Sequence, residues 1–170
     1  MQAIVAVEKL KAFGHPNVKA FHATTLEITR DNDLTPRGDC ILAVSATKSA
    51  FDLSKDLKDS LRRGDWLVMI LAIPDTDLYD YMIARGSCSL TFTDRRSLVV
   101  RKSDYIDGRT IAVKSTKAAK DIKREIISML RNPCVQLDVT LIAVSSQIEL
   151  NDSIIRLLLA KFLQKSPSKP

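Results

Sequence analysis

One stretch of this chain matches another at a constant separation of 69 residues, and that repetition constrains the fold more than any other feature. Thr47-Lys48-Ser49-Ala50 is answered by Thr116-Lys117-Ala118-Ala119, Asp52-Leu53 by Asp121-Ile122, Leu57 by Ile126, and Leu61-Arg62 by Leu130-Arg131. The flanks follow at the same separation: Leu42-Ala43-Val44 with Ile111-Ala112-Val113, and Trp66, Val68 and Ile70 with Val135, Leu137 and Val139. Upstream, after a five-residue change in loop length, Leu26-Glu27-Ile28-Thr29 is set against Leu90-Thr91-Phe92-Thr93. An ungapped match through strand, helix and strand predicts a duplicated strand-strand-helix-strand unit. Neither unit can bury a face alone, so the two are expected to pack about a pseudo-twofold axis.

The local patterns supply the elements. Ala50, Leu53, Leu57 and Leu61 recur at three- and four-residue steps, as do Ala119, Ile122, Ile126 and Met129, which predicts two helices with Thr47 and Thr116 as N-caps. Gly64 and Asn132-Pro133 end them. Strands are expected in the first dozen residues, Val18–Thr29, Cys40–Val44, Trp66–Ile73, Tyr79–Ala84, Ser89–Thr93, Leu98–Arg101, Thr110–Val113 and Val135–Val144. Ile154–Gln164 reads as a C-terminal helix, followed by a frayed Lys/Ser/Pro tail. The expected class is α+β and β-rich, a barrel or sandwich with two main helices and a C-terminal helix. Residues 1–150 form one domain, with halves at about 18–74 and 88–145, and 151–170 is an extension.

A chain of 170 residues with 45% hydrophobic and 27% charged residues has the balance of one folded core. No apolar run approaches the roughly 20 residues needed to cross a bilayer, and the first residues lack a signal-peptide pattern. Cys40, Cys88 and Cys134 form no CxxC pair and read as buried thiols in a reducing cytoplasm. Charge is uneven. Residues 1–94 carry 11 Lys and Arg against 13 Asp and Glu, whereas residues 95–170 carry 15 against 7. This asymmetry suggests a face that attracts anions.

Gly14-His15-Pro16-Asn17-Val18, then His22, Thr24-Thr25, Glu27 and Thr29, then Leu34-Thr35 and Gly38-Asp39-Cys40-Ile41, resemble an archaeal family catalogued as domain of unknown function 371. Arg101-Lys102-Ser103-Asp104 and Arg109-Thr110-Ile111 also resemble that family's pattern, and the likeness spans roughly residues 4–145. It implies an archaeal source and a β-rich fold. It brings no established activity and no catalytic residues to carry over.

Two polar clusters stand out. His15, Asn17, His22, Thr24, Thr25, Glu27 and Asp39 include both histidines of the chain. His15, His22, Glu27 and Asp39 are the candidates for proton transfer, and His15 and His22 for binding a metal such as zinc or iron. The usual ligand spacings are absent, and His22 and Glu27 would face opposite sides of an unbroken strand. The structural alternative is that His15 holds its loop and that the threonines pair across strands. The second cluster holds ten cations between residues 95 and 124, among them Arg95, Arg96, Arg101, Lys102 and Arg109, with Ser103 as a hydroxyl donor. No phosphate-loop, dinucleotide, zincin or serine-hydrolase motif occurs.

Three functions are consistent with these features. The leading one is a cytoplasmic binding protein for an anionic partner, RNA or a phosphorylated ligand, acting through residues 95–124. The second is an enzyme or a small-ligand or metal-binding protein that uses His15, His22, Glu27 and Asp39, with Arg101 or Arg109 clamping the substrate. The third is an oligomeric scaffold that docks through the apolar Ile154–Phe162 helix. The residues leave the cofactor open, and no membrane partner is expected.

Overall fold

The computed structural model describes residues 3–163. Its elements are β1 (Ile4–Phe13), β2 (Thr25–Thr29), β3 (Ile41–Ala43), α1 (Lys55–Arg62), β4 (Trp66–Ala72), β5 (Tyr79–Arg85), β6 (Ser97–Arg101), β7 (Thr110–Ala112), α2 (Arg124–Met129), β8 (Gln136–Val144) and α3 (Asp152–Phe162). The class is α+β and strand-rich. The strands form two open four-stranded sheets, ordered β1-β8-β4-β5 and β3-β2-β6-β7. Among the described residues there is no closed barrel: β1 and β5 edge one sheet, β3 and β7 the other.

Alternation of side chains places two cores. Leu67, Met69 and Leu71 of β4, with Leu137, Val139 and Leu141 of β8, join Leu26, Ile28, Leu98, Val100 and Ile111 of the second sheet in one buried cluster. Val68, Ile70, Ile142 and Val144 point to the other side, as period two demands, and meet Ile155 and Leu158 of α3. Strands apolar on both faces need two covers, and α3 supplies the second. Asn151 starts this helix by accepting the Ile154 N–H at 3.0 Å. Leu157 stays 70% exposed. The expected helix end at Gln164 and the tail beyond it lie outside the described residues.

The strand registers repeat. β2 and β3 are parallel with Glu27 opposite Ile41 and Ile28 opposite Ala43. β6 and β7 are parallel with Val99 opposite Thr110 and Val100 opposite Ala112. Between these pairs β2 and β6 run antiparallel, Glu27 facing Val99. Phe13 bridges Val44, and Arg85 bridges Val113.

Several expected elements are corrected. Residues 14–24 are loop, not strand, and Ala20 takes a φ of 51° that no strand continues. Ser89–Thr93 is also loop: Phe92 has a φ of 52° and is buried as an anchor. The strand that lies beside Thr25–Thr29 is therefore Ser97–Arg101, and the upstream match to Leu90–Thr93 is displaced. Thr47 and Thr116 do not cap helices. Their hydroxyls accept strand N–H groups, Lys11 at 3.0 Å and Ile83 at 3.1 Å. The intervening turns are held by the Asp52 and Asp121 carboxylates, which accept the N–H of Ser49 at 2.8 Å and of Ala118 at 2.9 Å. α1 starts only at Ser54, whose hydroxyl accepts the Leu57 N–H. Leu53 and Ile122 are nonetheless buried, so the apolar spacing marked the core correctly.

Candidate functional site

The histidines serve their loops. His15 Nδ1 accepts the Asn17 N–H at 3.0 Å, which leaves the proton on Nε2, facing Asp33 Oδ1 at 3.2 Å. Asn17 donates its side-chain amide to the Leu34 carbonyl at 2.7 Å. His22 Nδ1 accepts the N–H groups of Thr24 and Thr25, at 3.2 and 3.0 Å. Asp94 does the same for Arg96 and Ser97, at 2.7 and 2.8 Å. The carbonyl of Asp39 accepts from Phe21 and His22. Among the described residues no three His, Cys, Asp or Glu side chains gather as a metal could require.

Glu27 belongs to a different constellation, on the face of β3-β2-β6-β7 opposite Leu26 and Ile28. Its carboxylate accepts from Arg109 at 3.4 Å and from the Cys40 thiol at 3.2 Å. Asp107 joins Arg109 at 3.1 Å to Arg101 at 3.0 Å, and Arg101 also donates to Thr110 and Thr25. Burial would raise the Asp107 pKa, but the Arg109 N–H and both guanidinium groups hold it below the usual range. Burial, reinforced by the Glu27 charge, pushes the Cys40 thiol up to about 12. Two carboxylates balance two guanidinium groups here. A satisfied ionic network of this kind holds strands and loops in register.

The other cations between residues 95 and 124 are scattered and largely engaged. Arg96 pairs with Asp31, Lys102 with Asp121 and Lys117 with Asp80. Arg124 donates to the carbonyls of Lys19 and Ala20. Arg95 lies over the Phe51 ring at 4.0 Å. The Ser103 hydroxyl accepts the Tyr105 N–H. Asp31 and Asp80 lie outside residues 95–124, so a count within that stretch misses them. Two of the three cysteines, Cys88 and Cys134, are exposed, contrary to the expectation of buried thiols.

A cleft of about 640 Å³ opens where β5 leaves its sheet, lined by Arg63, Arg85, Ser87, Ser89, Asp104 and Lys114 among others. Of these, Lys114 belonged to the basic cluster and Asp104 to the family-like Arg101-Lys102-Ser103-Asp104 run; Arg63, Arg85, Ser87 and Ser89 belonged to neither cluster. Arg85 stacks over Trp66 at 3.8 Å, which fixes its guanidinium. Among the described residues, neither Arg85 nor Lys114 has a carboxylate within 4.0 Å, and Arg63 reaches only Asp65, at 3.6 Å. Gly86 makes the cleft floor feasible: a Cβ there would stand 1.9 Å from the Leu61 carbonyl oxygen. A second groove of about 820 Å³ lies beside Lys9, Lys11, Asp138 and Phe162.

The comparable position beside Gly14 is built differently. Gly14 approaches the Asn132 carbonyl as closely, at 2.2 Å for an added Cβ. There the side chains are His15, Asn17, Asn32 and Ser45, and they bond internally, Ser45 to Asn32 at 2.9 Å. Phe13 precedes Gly14, whereas Arg85 precedes Gly86.

A family model described as "Domain of unknown function (DUF371)" matches residues 10–144. The uncharacterized protein MJ0206 of the archaeon Methanocaldococcus jannaschii is 40% identical over 122 residues, covering 72% of this chain and 89% of that protein. The matched region holds both parallel strand pairs, the Glu27 network and the cleft residues named above, and stops before α3. This chain belongs to the DUF371 family.

Proposed function

We propose that this protein binds a small phosphorylated ligand in the cleft between Arg63, Arg85 and Lys114. The observation that carries the reading is that Arg85 and Lys114 line one concave site and, among the described residues, neither has a carboxylate within 4.0 Å, although Asp104 lines the same cleft. A planar guanidinium fixed by stacking, an ammonium and the hydroxyls of Ser87 and Ser89 suit the oxygens of a phosphate. The three unpaired thiols fit a reducing compartment, and we place the protein in the cytoplasm on that ground.

The reading includes an internal duplication, β1-β2-β3-α1-β4 against β5-β6-β7-α2-β8. The repeated registers support it, and so do paired contacts. Glu8 accepts from Lys48 and from the Ser54 N–H, as Asp80 accepts from Lys117 and from the Lys123 N–H. Arg30 pairs with Asp52 as Lys102 pairs with Asp121. Ser45 and Lys114 both take a φ of 52°. On this view one half kept its concavity filled by hydrogen bonds and the other opened it for a ligand.

Trp66 is the only tryptophan of the chain and touches Arg85, so its fluorescence reports occupancy. Titration with inorganic phosphate at low ionic strength should give a saturable change. Replacing both Arg85 and Lys114 with Met should weaken binding by about tenfold or more, given roughly 1.5–3 kcal/mol for a charged hydrogen bond. No saturation in the unaltered protein would refute the reading.

RNA is a second reading, favoured by three exposed aromatic rings that each carry a cation: Phe21 with Arg124, Phe51 with Arg95 and Tyr105 with Arg101. It requires that replacing Phe51 with Ala weaken retention of single-stranded RNA, and an unchanged affinity would remove it.

A further inference from the structure

The cleft also contains an acid that does not neutralise its bases. Asp104 and Lys114 line the same concavity, yet among the described residues they form no ion pair with each other or with any other group. At the comparable place in the first half, Asn32 and Ser45 close the gap with a direct 2.9 Å hydrogen bond. Opposite charges that face one cleft without joining leave space for a molecule that answers both.

Asp104 is set by its loop. Arg101 and Arg109 hold Asp107 from one side, at 3.0 and 3.1 Å, and Thr93 and Asp94 donate their N–H groups to the Gly108 carbonyl from the other. Lys102 donates its N–H to the Thr24 carbonyl at the start of the same loop. The Glu27 network therefore does not bind the ligand; it fixes the ends of the loop that carries Asp104. A carboxylate held in an anion site repels a ligand that offers only negative charge. It rewards one that brings a hydrogen-bond donor, because a charged acceptor bonds more strongly than a neutral one.

We infer that the ligand is a small phosphate monoester carrying a hydroxyl or ammonium group, its phosphate on Arg85 and Lys114 and its donor on Asp104. This inference rests on the anion reading of the cleft and sharpens it. The probes are ethyl phosphate, 2-hydroxyethyl phosphate and 2-aminoethyl phosphate, which share one chain length and differ only in the terminal donor. Each is titrated against the full chain by Trp66 fluorescence, with inorganic phosphate as reference.

At least one donor-bearing ester should bind about five- to tenfold more tightly than ethyl phosphate, the difference a charged hydrogen bond makes. Asp104→Ala should erase that preference while leaving ethyl phosphate binding intact or stronger. Asp104→Asn separates the two donors, since an amide oxygen still accepts from a hydroxyl but loses the attraction for an ammonium. Asp104 is exposed, so neither variant disturbs packing. Equal affinity for all three esters in the unaltered protein would overturn the inference and leave the phosphate site standing. Binding of neither phosphate nor any ester would overturn the site itself.

Discussion

Glu8→Gln is a perturbation whose outcome the structure specifies closely. Glu8 is nearly buried on β1, its side chain 6% exposed, with Lys48 Nζ at 2.7 Å and the Ser54 N–H at 2.9 Å. The carboxylate thus ties the first strand to the N-terminus of α1. Truncating one partner of a fully buried pair costs about 3–5 kcal/mol. Lys48 is 35% exposed and can turn to water, so the expected loss falls to about 1–3 kcal/mol. For a chain of this size that lowers Tm by about 3–10 °C. Asp80→Asn, which removes the comparable contacts to Lys117 and Lys123, should cost a similar amount if the halves are equivalent. Burial raises the Glu8 pKa, but the Lys48 bond and the Ser54 amide outweigh it and hold the folded pKa below its ordinary value. The contribution of Glu8 is therefore complete above the unfolded carboxyl pKa, about 4.3, and is lost as pH falls through the lower folded value. Calorimetry or urea melts of Glu8→Gln and the unaltered chain should converge on acidification. A stability gap that stays constant from pH 7 to pH 3 would refute the reasoning.

Three further outcomes follow. Gly86→Ala should cost at least about 3 kcal/mol, because the clash is with the Leu61 backbone and strand and helix must separate; urea melts measure it. In the native protein an aromatic disulfide reagent at pH 8 should label Cys88 and Cys134 promptly and Cys40 only on unfolding, given a thiol pKa of about 12; three equally fast thiols would contradict the Glu27 contact. Leu158→Ala should destabilise by about 2–4 kcal/mol, because the side chain closes the outer core of β4 and β8; a loss below 0.5 kcal/mol in the same melts would mean that α3 is loosely held.

The long strands were legible, Trp66–Ala72 from an unbroken apolar run and Gln136–Val144 from alternation, and both fall within a residue or so of expectation. The helices were legible, α1 and α2 lying within the expected spans and α3 starting two residues before its own, but the first turns of the first two were not. Ala50 and Leu53 follow a helical spacing while sitting in a turn held by Asp52, and turns and helices share that spacing. Strand-forming threonines at 24 and 25 hid a loop whose shape depends on the positive φ of Ala20 and on two N–H groups accepted by His22. The resemblance carried by the first polar block pointed to the right family. The same block concealed that its histidines are engaged by backbone. The cleft was not legible, because Arg63, Arg85, Asp104 and Lys114 come from four segments and share no motif. Nor does a count of cations reveal that Arg109 and Lys117 each have an acid from elsewhere in the chain, Glu27 and Asp80, and that Arg101 and Lys102 are paired within the stretch with Asp107 and Asp121.

Amide chemical-shift mapping with inorganic phosphate tests the central claim most directly, because it reports where an anion binds as well as whether it does. The account predicts saturable shifts concentrated at residues 85–89, at Val113 and Lys114, and at the Trp66 indole. Shifts confined to the groove around Lys9, Lys11 and Phe162, or to the exposed Phe21 and Phe51 surfaces, would contradict it, as would no shifts at all.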